Sequence, residues 1–341
     1  MRYLGASRKL QGKKEPVPEE LIAQKLSSQI NENIEALKTL LTGCSDAVFK
    51  EFSFGQDSAR GFLVYFDGLA DRKEIEEHLL KPLLLELNMF RESMEEKIAD
   101  SDLLSRLKDR VLTLAELKSL ESLEEVCHHI ASGDCVFLLD GLSFGLAAGT
   151  RSWEGRKVSP PENEVIVFGP KEGFTETIRF NTALLRRRLK SPSFKIENLV
   201  LGRISKTDVV VCYIENIAPP ELVKEVKNRL GKIDIDAVLD TSYLAEIIAD
   251  KRWTIFNQAE HTEKPDRVCG SLLEGRIAIM VDGSPMVLIV PISFPEYIIS
   301  PEDYYVHFIP ASLFRMLRFA SFALALLIPS LYVAIITYHH E

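Results

Sequence analysis

From Phe319 to Tyr338 the chain reads FASFALALLIPSLYVAIITY, a run of twenty residues without a formal charge. As a helix rising about 1.5 Å per residue it would cover roughly 30 Å, the thickness of a bilayer's hydrocarbon core. Helices buried in water-soluble domains rarely go that far without a charge. A transmembrane helix over 319–338 is therefore expected. Tyr338 falls where an interfacial aromatic belongs. Pro329 would break a helix in water but is tolerated in a membrane. Arg315 and Arg318 stand before the run, whereas His339, His340 and Glu341 follow it. The positive-inside rule then predicts that everything before the helix is cytoplasmic, with 306–318 as a juxtamembrane linker and Arg315, Arg318 and Pro329 as anchor residues.

A second apolar stretch, Ile277 to Pro295, carries only Asp282 as a charge. Asp282-Gly283-Ser284-Pro285 at its centre is turn chemistry between β-branched runs of strand length, so a β-hairpin is expected.

The rest of the 341-residue chain has ordinary globular composition, with 46% apolar and 27% charged residues. Disorder is thereby excluded. A formal net charge of −9 argues against a nucleic-acid binder, which needs a basic field. Cys44, Cys127, Cys135, Cys212 and Cys269 form no Cys-x-x-Cys pair, which fits a reducing compartment and speaks against a disulfide framework or a thiolate zinc site. No apolar run follows the basic N-terminal residues, so no secretory leader is expected.

Residues 1–44 read as a polar segment and one amphipathic helix from Pro18, with Ile22, Leu26, Ile30, Ile34, Leu37 and Leu41 on its stripe and Gly43 at its end. Strands are expected at AVFKEFSF and GFLVYFDG, helix over 71–132 with polar breaks near 98–102, and a second strand pair at CVFLLDG and FGLAAGT. The stretch 150–164, with Gly155, Pro160 and Pro161, is the candidate domain boundary. It separates an α/β subdomain at 45–155 from another at 156–305. In the second, VIVF should be a strand, 174–189 a helix, and IENLVLGRIS and DVVVCYIE a strand pair. PPELVKEVKNRL should be a helix ended by Gly231 at its C′ position, followed by short helices near 242–249 and 265–274. The fold class is α/β, two subdomains with mixed sheets and then one transmembrane helix.

No catalytic signature is present: no Gly-x-Ser-x-Gly, P-loop, His-Glu-x-x-His or Gly-x-Gly-x-x-Gly. His128-His129 and His339-His340 are adjacent pairs whose side chains diverge, so neither makes a metal bite. Arg186, Arg187 and Arg188 spread over about 200° of a helix, with Arg187 opposite the apolar stripe and the others flanking it. A solvated face is the bland reading; contact with an acidic partner or with anionic headgroups is the sharper one. Gly169-Pro170-Lys171-Glu172-Gly173 reads as a tight strand-to-helix turn, because Glu172 and Glu176 would repel a bound anion. Asp67-Gly68, Asp140-Gly141 and Asp282-Gly283 each end a strand-like run. The likeness of FDGLA to LDGLS hints at a duplication, though turn chemistry explains it as well.

Several stretches together resemble a known family: YFDGLADRKEIEEHLLKPL (65–83), GPKEGFTETIRFNTALLRRRLKSP (169–192), LGRISKTDVVVCYIENIA (201–218), KNRLGKIDIDAVLDTSYLAEII (227–248), EKPDRV (263–268) and LLEGRIAIMVDGSPMVLIVP (272–291). From about Ser45 through the membrane helix the chain resembles the A subunit of the GerA-type germinant receptors of endospore-forming bacteria. Lys264 stands where Arg is commoner, and Asn257 where Pro is typical. The resemblance implies a subunit that is not an enzyme, has no catalytic or metal-binding residues and takes no cofactor. It implies a cytoplasmic region of two α/β subdomains followed by several membrane helices, so that a chain ending at Glu341 would be either a fragment or the product of a truncated gene. The location implied is the spore inner membrane, and the partners are a transporter-like B subunit, a lipoprotein C subunit, further copies of the A subunit and membrane lipid. Such complexes sense amino acids, sugars or nucleosides and trigger germination with ion release; the nutrient pocket is generally placed in the B subunit, and the A subunit is regarded as an oligomeric, channel-forming signalling component. Contact-bearing candidates are Gly169, Gly173, Glu176 and Arg187 in one segment, and Glu263, Pro265, Asp266, Gly275, Arg276, Asp282 and Gly283 in another. The alternative is a membrane-tethered module that binds a small molecule in the cleft between its subdomains. A hydrolase would need a nucleophile–base pair, and none is visible.

Overall fold

The computed structural model describes residues 19–54, 59–81, 117–151, 161, 164, 169–250, 253, 254 and 256–338. Its elements run α1 (Glu19–Ile22), α2 (Ile30–Leu40), β1 (Ala47–Phe54), β2 (Ala59–Phe66) and α3 (Arg72–Glu74), the last continued by a π-helical stretch Ile75–Leu80. Then come β3 (Leu117–Leu120), α4 (Leu123–Ala131), β4 (Cys135–Leu139) and β5 (Gly145–Ala148). The second half has α5 (Ile178–Arg188), β6 (Phe194–Leu201), β7 (Thr207–Ile214), α6 (Pro220–Gly231), α7 (Thr241–Ile248) and β8 (Glu260–Thr262). It ends with α8 (Pro265–Leu273), β9 (Ile277–Val281), β10 (Val287–Val290), two 3-10 turns (Phe294–Tyr297 and Pro301–Tyr304) and α9 (Phe308–Tyr338).

The strands make two five-stranded sheets, ordered β1-β2-β4-β5-β3 and β6-β7-β9-β10-β8. The α/β architecture is as expected from sequence. The pairing is not mixed, however: every ladder between these strands is antiparallel. The reason lies in the crossovers. Helix α4 links β3 to β4 with β5 lying between them, and α8 links β8 to β9 with β10 between them, so the strands that run parallel never become neighbours.

Alternation at a period of two buries both faces of each sheet. In the first, Phe62, Val64, Phe66, Val136 and Leu138 face α2 and α4, while Leu63, Cys135, Phe137 and Leu139 face Ile75 and Leu79. In the second, Val209, Val211, Ile277 and Ile279 face α6 and α7, while Phe194, Val210, Ala278 and Met280 face α5 and α8. The expected hairpin at 277–290 is present, with Ile277 opposite Val290.

Several elements differ from expectation. The helix anticipated from Pro18 is broken between Ile22 and Ile30, where Leu26 N–H donates to the Glu121 carbonyl at 2.9 Å and Lys25 bridges Ser122. Leu26 stays buried without being helical. The expected helix over 71–132 is interrupted by β3, which pairs with β5; residues 82–116 of that range lie outside the described ones. Helix α5 begins at Ile178, not 174. Gly231 is the last helical residue of α6, and Lys232 takes the cap instead. The expected strand VIVF and most of the 150–164 boundary lie outside the described residues.

The two subdomains are built alike in detail. At the start of α2, Ile30 N–H donates to Asp140 Oδ1 (3.2 Å), and Gly141 N–H to the Ser28 carbonyl (2.9 Å). At the start of α5, Ile178 N–H donates to Asp282 Oδ1 (3.0 Å), and Gly283 N–H to the Glu176 carbonyl (2.7 Å). Asn33 grips both polar groups of the Ser27 backbone at 2.9 and 2.7 Å, and Asn181 those of Thr175 at 2.8 and 2.6 Å. In each half an Asp-Gly hairpin turn thus supplies the N-cap of a helix remote in sequence. This shared geometry relates Asp140-Gly141 to Asp282-Gly283, and not Asp67-Gly68 to Asp140-Gly141 as the FDGLA likeness hinted.

Helix α9 has 31 residues, starting at Phe308 rather than Phe319. It is about 46 Å long at 1.5 Å per residue. It is one helix long and apolar enough to cross a membrane, and none of its most apolar window is buried.

Candidate functional site

Helix α5 is where the sequence motifs converge. Its inner face carries Leu184 and Leu185 into the core of the second subdomain. The same helix reaches the first subdomain through Arg186, which is 0% exposed. Arg186 Nε and Nη2 donate to the two Asp46 oxygens at 2.9 and 2.8 Å, and Nη1 donates to the Phe194 carbonyl at 2.8 Å. The guanidinium lies 4.2 Å from the centre of the Phe66 ring and 4.8 Å from that of Phe194. All three guanidinium nitrogens thus donate and two aromatic rings lie against the group, which is how a buried arginine is tolerated. The expectation of a solvated face fails for this residue. The second subdomain's own apolar stripe cannot bury it; the first subdomain does, and a helical wheel of α5 alone carries no trace of that surface.

Around Arg186 the two subdomains are joined by backbone as well. Ser45 N–H donates to the Ile196 carbonyl (2.8 Å) and Ile196 N–H to the Gly43 carbonyl (3.0 Å), so residues 43–45 lie as a short parallel strand along β6. Lys195, also buried, donates from Nζ to the Leu40 carbonyl at the end of α2 (3.0 Å) and pairs with Glu215 at 3.4 Å. A cation at a helix C-terminus meets the negative end of its dipole. The cleft considered as a ligand site is, at this contact, filled by the Arg186 side chain. A cavity of about 130 Å³ lies elsewhere, between α6 and α7 beside Val226 and Ile248.

The two motif segments meet each other. Phe174 N–H donates to the Glu263 carbonyl (2.8 Å), which joins the turn before α5 to the turn before α8. Glu176 and Asp282-Gly283 meet at the α5 cap described above. Arg187 and Arg188 both bind Glu172, the Arg188 bond being 2.6 Å. Burial alone would raise the Glu172 carboxyl, but the two arginines hold it below the usual carboxylate range. Gly169 (φ 123°) is exposed, whereas Gly173 is buried in the same turn. Pro265 opens α8 at its first position. Gly275, at φ 89°, ends that helix, and a Cβ there would sit 2.9 Å from the Ile217 carbonyl oxygen.

Beyond α8 the polar contacts continue to α9. Arg276 is held by Glu260 (3.4 Å), by Glu274 (2.8 Å) and by Glu296. Asp266 accepts from the Tyr305 hydroxyl, and Lys264 Nζ stands 6.0 Å from the Tyr305 ring centre. Burial, then the bond to Asp266, pushes the Tyr305 phenol up. Two residues back, the buried Asp303 takes Arg315 at 3.1 Å and also Arg318, which reaches the Ile298 carbonyl as well. Burial would raise the Asp303 carboxyl, but Arg318 and Arg315 hold it below the usual carboxylate range. Pro329 lies within α9, and Ser330 Oγ beside it donates to the Leu327 carbonyl at 2.8 Å.

Of the eleven motif residues named from sequence, Glu176, Asp282 and Gly283 meet at the α5 cap and Glu263 joins the turn before α8 to the turn before α5, whereas Arg276 is held by Glu260, Glu274 and Glu296 and Gly169 is exposed. Asp46 as the partner of Arg186, Glu172 of Arg187, Tyr305 of Asp266 and Asp303 of Arg315 and Arg318 were not anticipated. A signal for the α5 cap did exist, in the polar Asn33 and Asn181 that interrupt otherwise apolar helix faces. Among the described residues, no group of three or more His, Cys, Asp or Glu side chains is placed to hold a metal ion.

Two like-built α/β subdomains, locked by a buried ion pair and tied by arginines to an apolar helix, define a tandem α/β module that carries a helix of membrane-crossing length. Residues 35–341 match the Bacillus/Clostridium GerA spore germination protein family. The chain belongs to that family. It is 38% identical over 316 residues to the uncharacterized membrane protein YfkQ and 37% identical over 314 residues to spore germination protein B1, both of Bacillus subtilis (strain 168). These alignments take in 93% and 92% of this chain but 60% and 63% of the relatives, so the chain spans roughly three fifths of their length. A crystal structure of the N-terminal domain of the A subunit of the Bacillus megaterium spore germinant receptor GerK3 is similar at a TM-score of 0.61 and 32% identity, covering 80% of this chain and 98% of that one.

Proposed function

We propose that this chain serves as the cytoplasmic module and a membrane helix of an A-type subunit in a nutrient-responsive germinant receptor of the spore inner membrane. In this reading 45–155 and 156–305 are its two domains, and the positive-inside rule keeps both in the cytoplasm. A transporter-like B subunit and a lipoprotein C subunit are its partners, with further copies of the same chain and membrane lipid. Nutrient binding in the assembly shifts a resting equilibrium toward an active state that releases ions. The observation that carries this is the run of polar contacts from Asp46–Arg186, along α5 and α8, to Asp303 with Arg315 and Arg318. It couples the junction of the subdomains to the membrane helix, so a change at one end biases the other. The exposed members of the two motif segments, Gly169, Glu176, Asp282 and Gly283, are the surface through which neighbouring subunits would load that body.

The test is made in spores of a strain whose only change is in this gene. Gene deletion should abolish loss of optical density and release of dipicolinate in response to at least one member of a panel of amino acids, sugars and nucleosides. Asp303→Asn should slow that response while the subunit remains in the membrane fraction. Unchanged responses across the panel in the deletion strain would overturn the assignment.

A further inference from the structure

The face of α9 that meets the second subdomain is Ala311, Arg315, Arg318 and Phe322, stepping by four, three and four residues as one helical stripe requires. Ala311 is buried, both arginines bind Asp303, and the Phe322 ring lies 5.6 Å from that of Phe294. The subdomain therefore lies beside the helix rather than above its end. Phe322 is already inside the uncharged run that begins at Phe319, by about 4–5 Å at the helical rise. Phe294 shares its level.

Phe294 belongs to a cluster of aromatic side chains that stays partly exposed among the described residues. Its ring is 6.5 Å from Phe256 and 6.4 Å from Tyr297, and Phe256 and Tyr297 are 6.1 Å apart. All three are about half exposed, and Trp253, three residues before Phe256, is 100% exposed. The Tyr297 hydroxyl donates to the Asn257 carbonyl, which ties the 253–257 loop to the 294–297 turn. Exposed aromatic clusters of this kind are rare on surfaces that face water alone.

We propose that this patch is an interfacial anchor: Trp253, Phe256, Phe294 and Tyr297 enter the headgroup region of the bilayer that α9 crosses and hold the second subdomain against the membrane surface. The partner is lipid, because the patch is continuous with the lipid-crossing helix through the Phe294–Phe322 contact and stands at the depth where tryptophan and tyrosine collect. The inference rests on the reading of α9 as a membrane helix. A subdomain pinned at two places, by α9 and by the patch, cannot swing about the helix as a single tether would allow.

The experiment uses the full chain with Trp153→Phe, which leaves Trp253 as the sole tryptophan. The protein is reconstituted in vesicles of phosphatidylcholine with a minority of phosphatidylglycerol, with and without bromine near the top of the acyl chains. Trp253 emission should be blue-shifted, roughly halved by brominated lipid and protected from aqueous iodide. Full iodide quenching with no response to brominated lipid would overturn the proposal. So would a blue-shifted emission indifferent to brominated lipid, since the patch would then be covered by a second copy or another protein segment. Phe256→Trp in a chain lacking Trp153 and Trp253 gives a second reporter that must agree. Alkaline carbonate extraction separates the two levels: a chain that washes off has no membrane helix, whereas a retained chain with a lipid-blind Trp253 refutes only the anchor.

Discussion

Asp46 and Arg186 stand 140 positions apart in the chain and meet in a two-point ion pair of 2.9 and 2.8 Å. The aspartate precedes β1 of the first sheet, and the arginine lies on a helix that packs the second. Between a phenylalanine ring from each sheet, the pair is the point at which the two halves become one body. A buried pair earns little net stability by forming, because desolvation offsets attraction, but losing one partner strands the other.

Arg186→Met should therefore destabilise the protein by about 3–5 kcal/mol, read as a lowered thermal midpoint of the full chain in detergent. Asp46→Asn, which keeps an acceptor, should cost less. The double variant Asp46→Ala with Arg186→Met should lose less than the sum of its single changes, since the pair acts as a unit. Strict additivity would show that the contact carries no coupling.

The paired hairpin caps give a matched prediction. Asp140→Ala and Asp282→Ala should each cost about 0.5–2 kcal/mol in denaturant unfolding, and asparagine at either position should restore most of it. A cost at one site with none at the other would show that the shared geometry does not reflect a shared role.

Gly275 and Gly283 have nearly the same backbone, φ 89° at both, but different surroundings. A methyl at Gly283 meets nothing within 4 Å, whereas at Gly275 it meets the Ile217 carbonyl oxygen at 2.9 Å. Gly283→Ala should cost only the left-handed conformation, about 1–2 kcal/mol. Gly275→Ala must also displace backbone and should be the more damaging in the same unfolding assay. Equal losses would sink the steric account.

Asp134 supplies a pH test. It is buried, which would raise its carboxyl, but Arg151 at 2.7 Å and His129 at 2.7 Å hold it below its ordinary 3.8. A carboxyl depressed in the fold stabilises above its unfolded value and loses that contribution as the pH falls through its folded value. Asp134→Asn should thus be less stable than the parent at pH 7, and the gap should close only below about pH 3.8. A gap that closes near neutrality would show that the Asp134 carboxylate is not the group responsible.

The parts of the fold set by local pattern were legible. The apolar run of 319–338, the Asp282 turn and the period-two strands at 47–54 and 207–214 all follow from composition and spacing over a few residues. What was illegible depends on residues far apart. Leu117–Leu120 reads as LKSL, two polar residues between two leucines, and is a strand only because β5 offers it a free edge. Arg186 looks like a flanking surface residue until another subdomain covers it. Asp303 and Tyr305 sit in turns without periodicity, and their roles arise from what α9 and α8 bring to them. The likeness of the two halves was hidden because they share hydrogen-bond geometry, an Asp-Gly turn and one Asn, more than they share letters.

The short strand that residues 43–45 lay along β6 has a consequence for how the chain is made. An outer strand with unpaired backbone is the usual place where identical chains pair wrongly and aggregate. β6 is one of the two outer strands of the second sheet. The segment that covers it lies before it in sequence and leaves the ribosome first, together with the subdomain that holds it. Nascent β6 therefore emerges beside a partner already waiting on its own chain, and a neighbouring polypeptide has to compete with a tethered rival for the same row of amides.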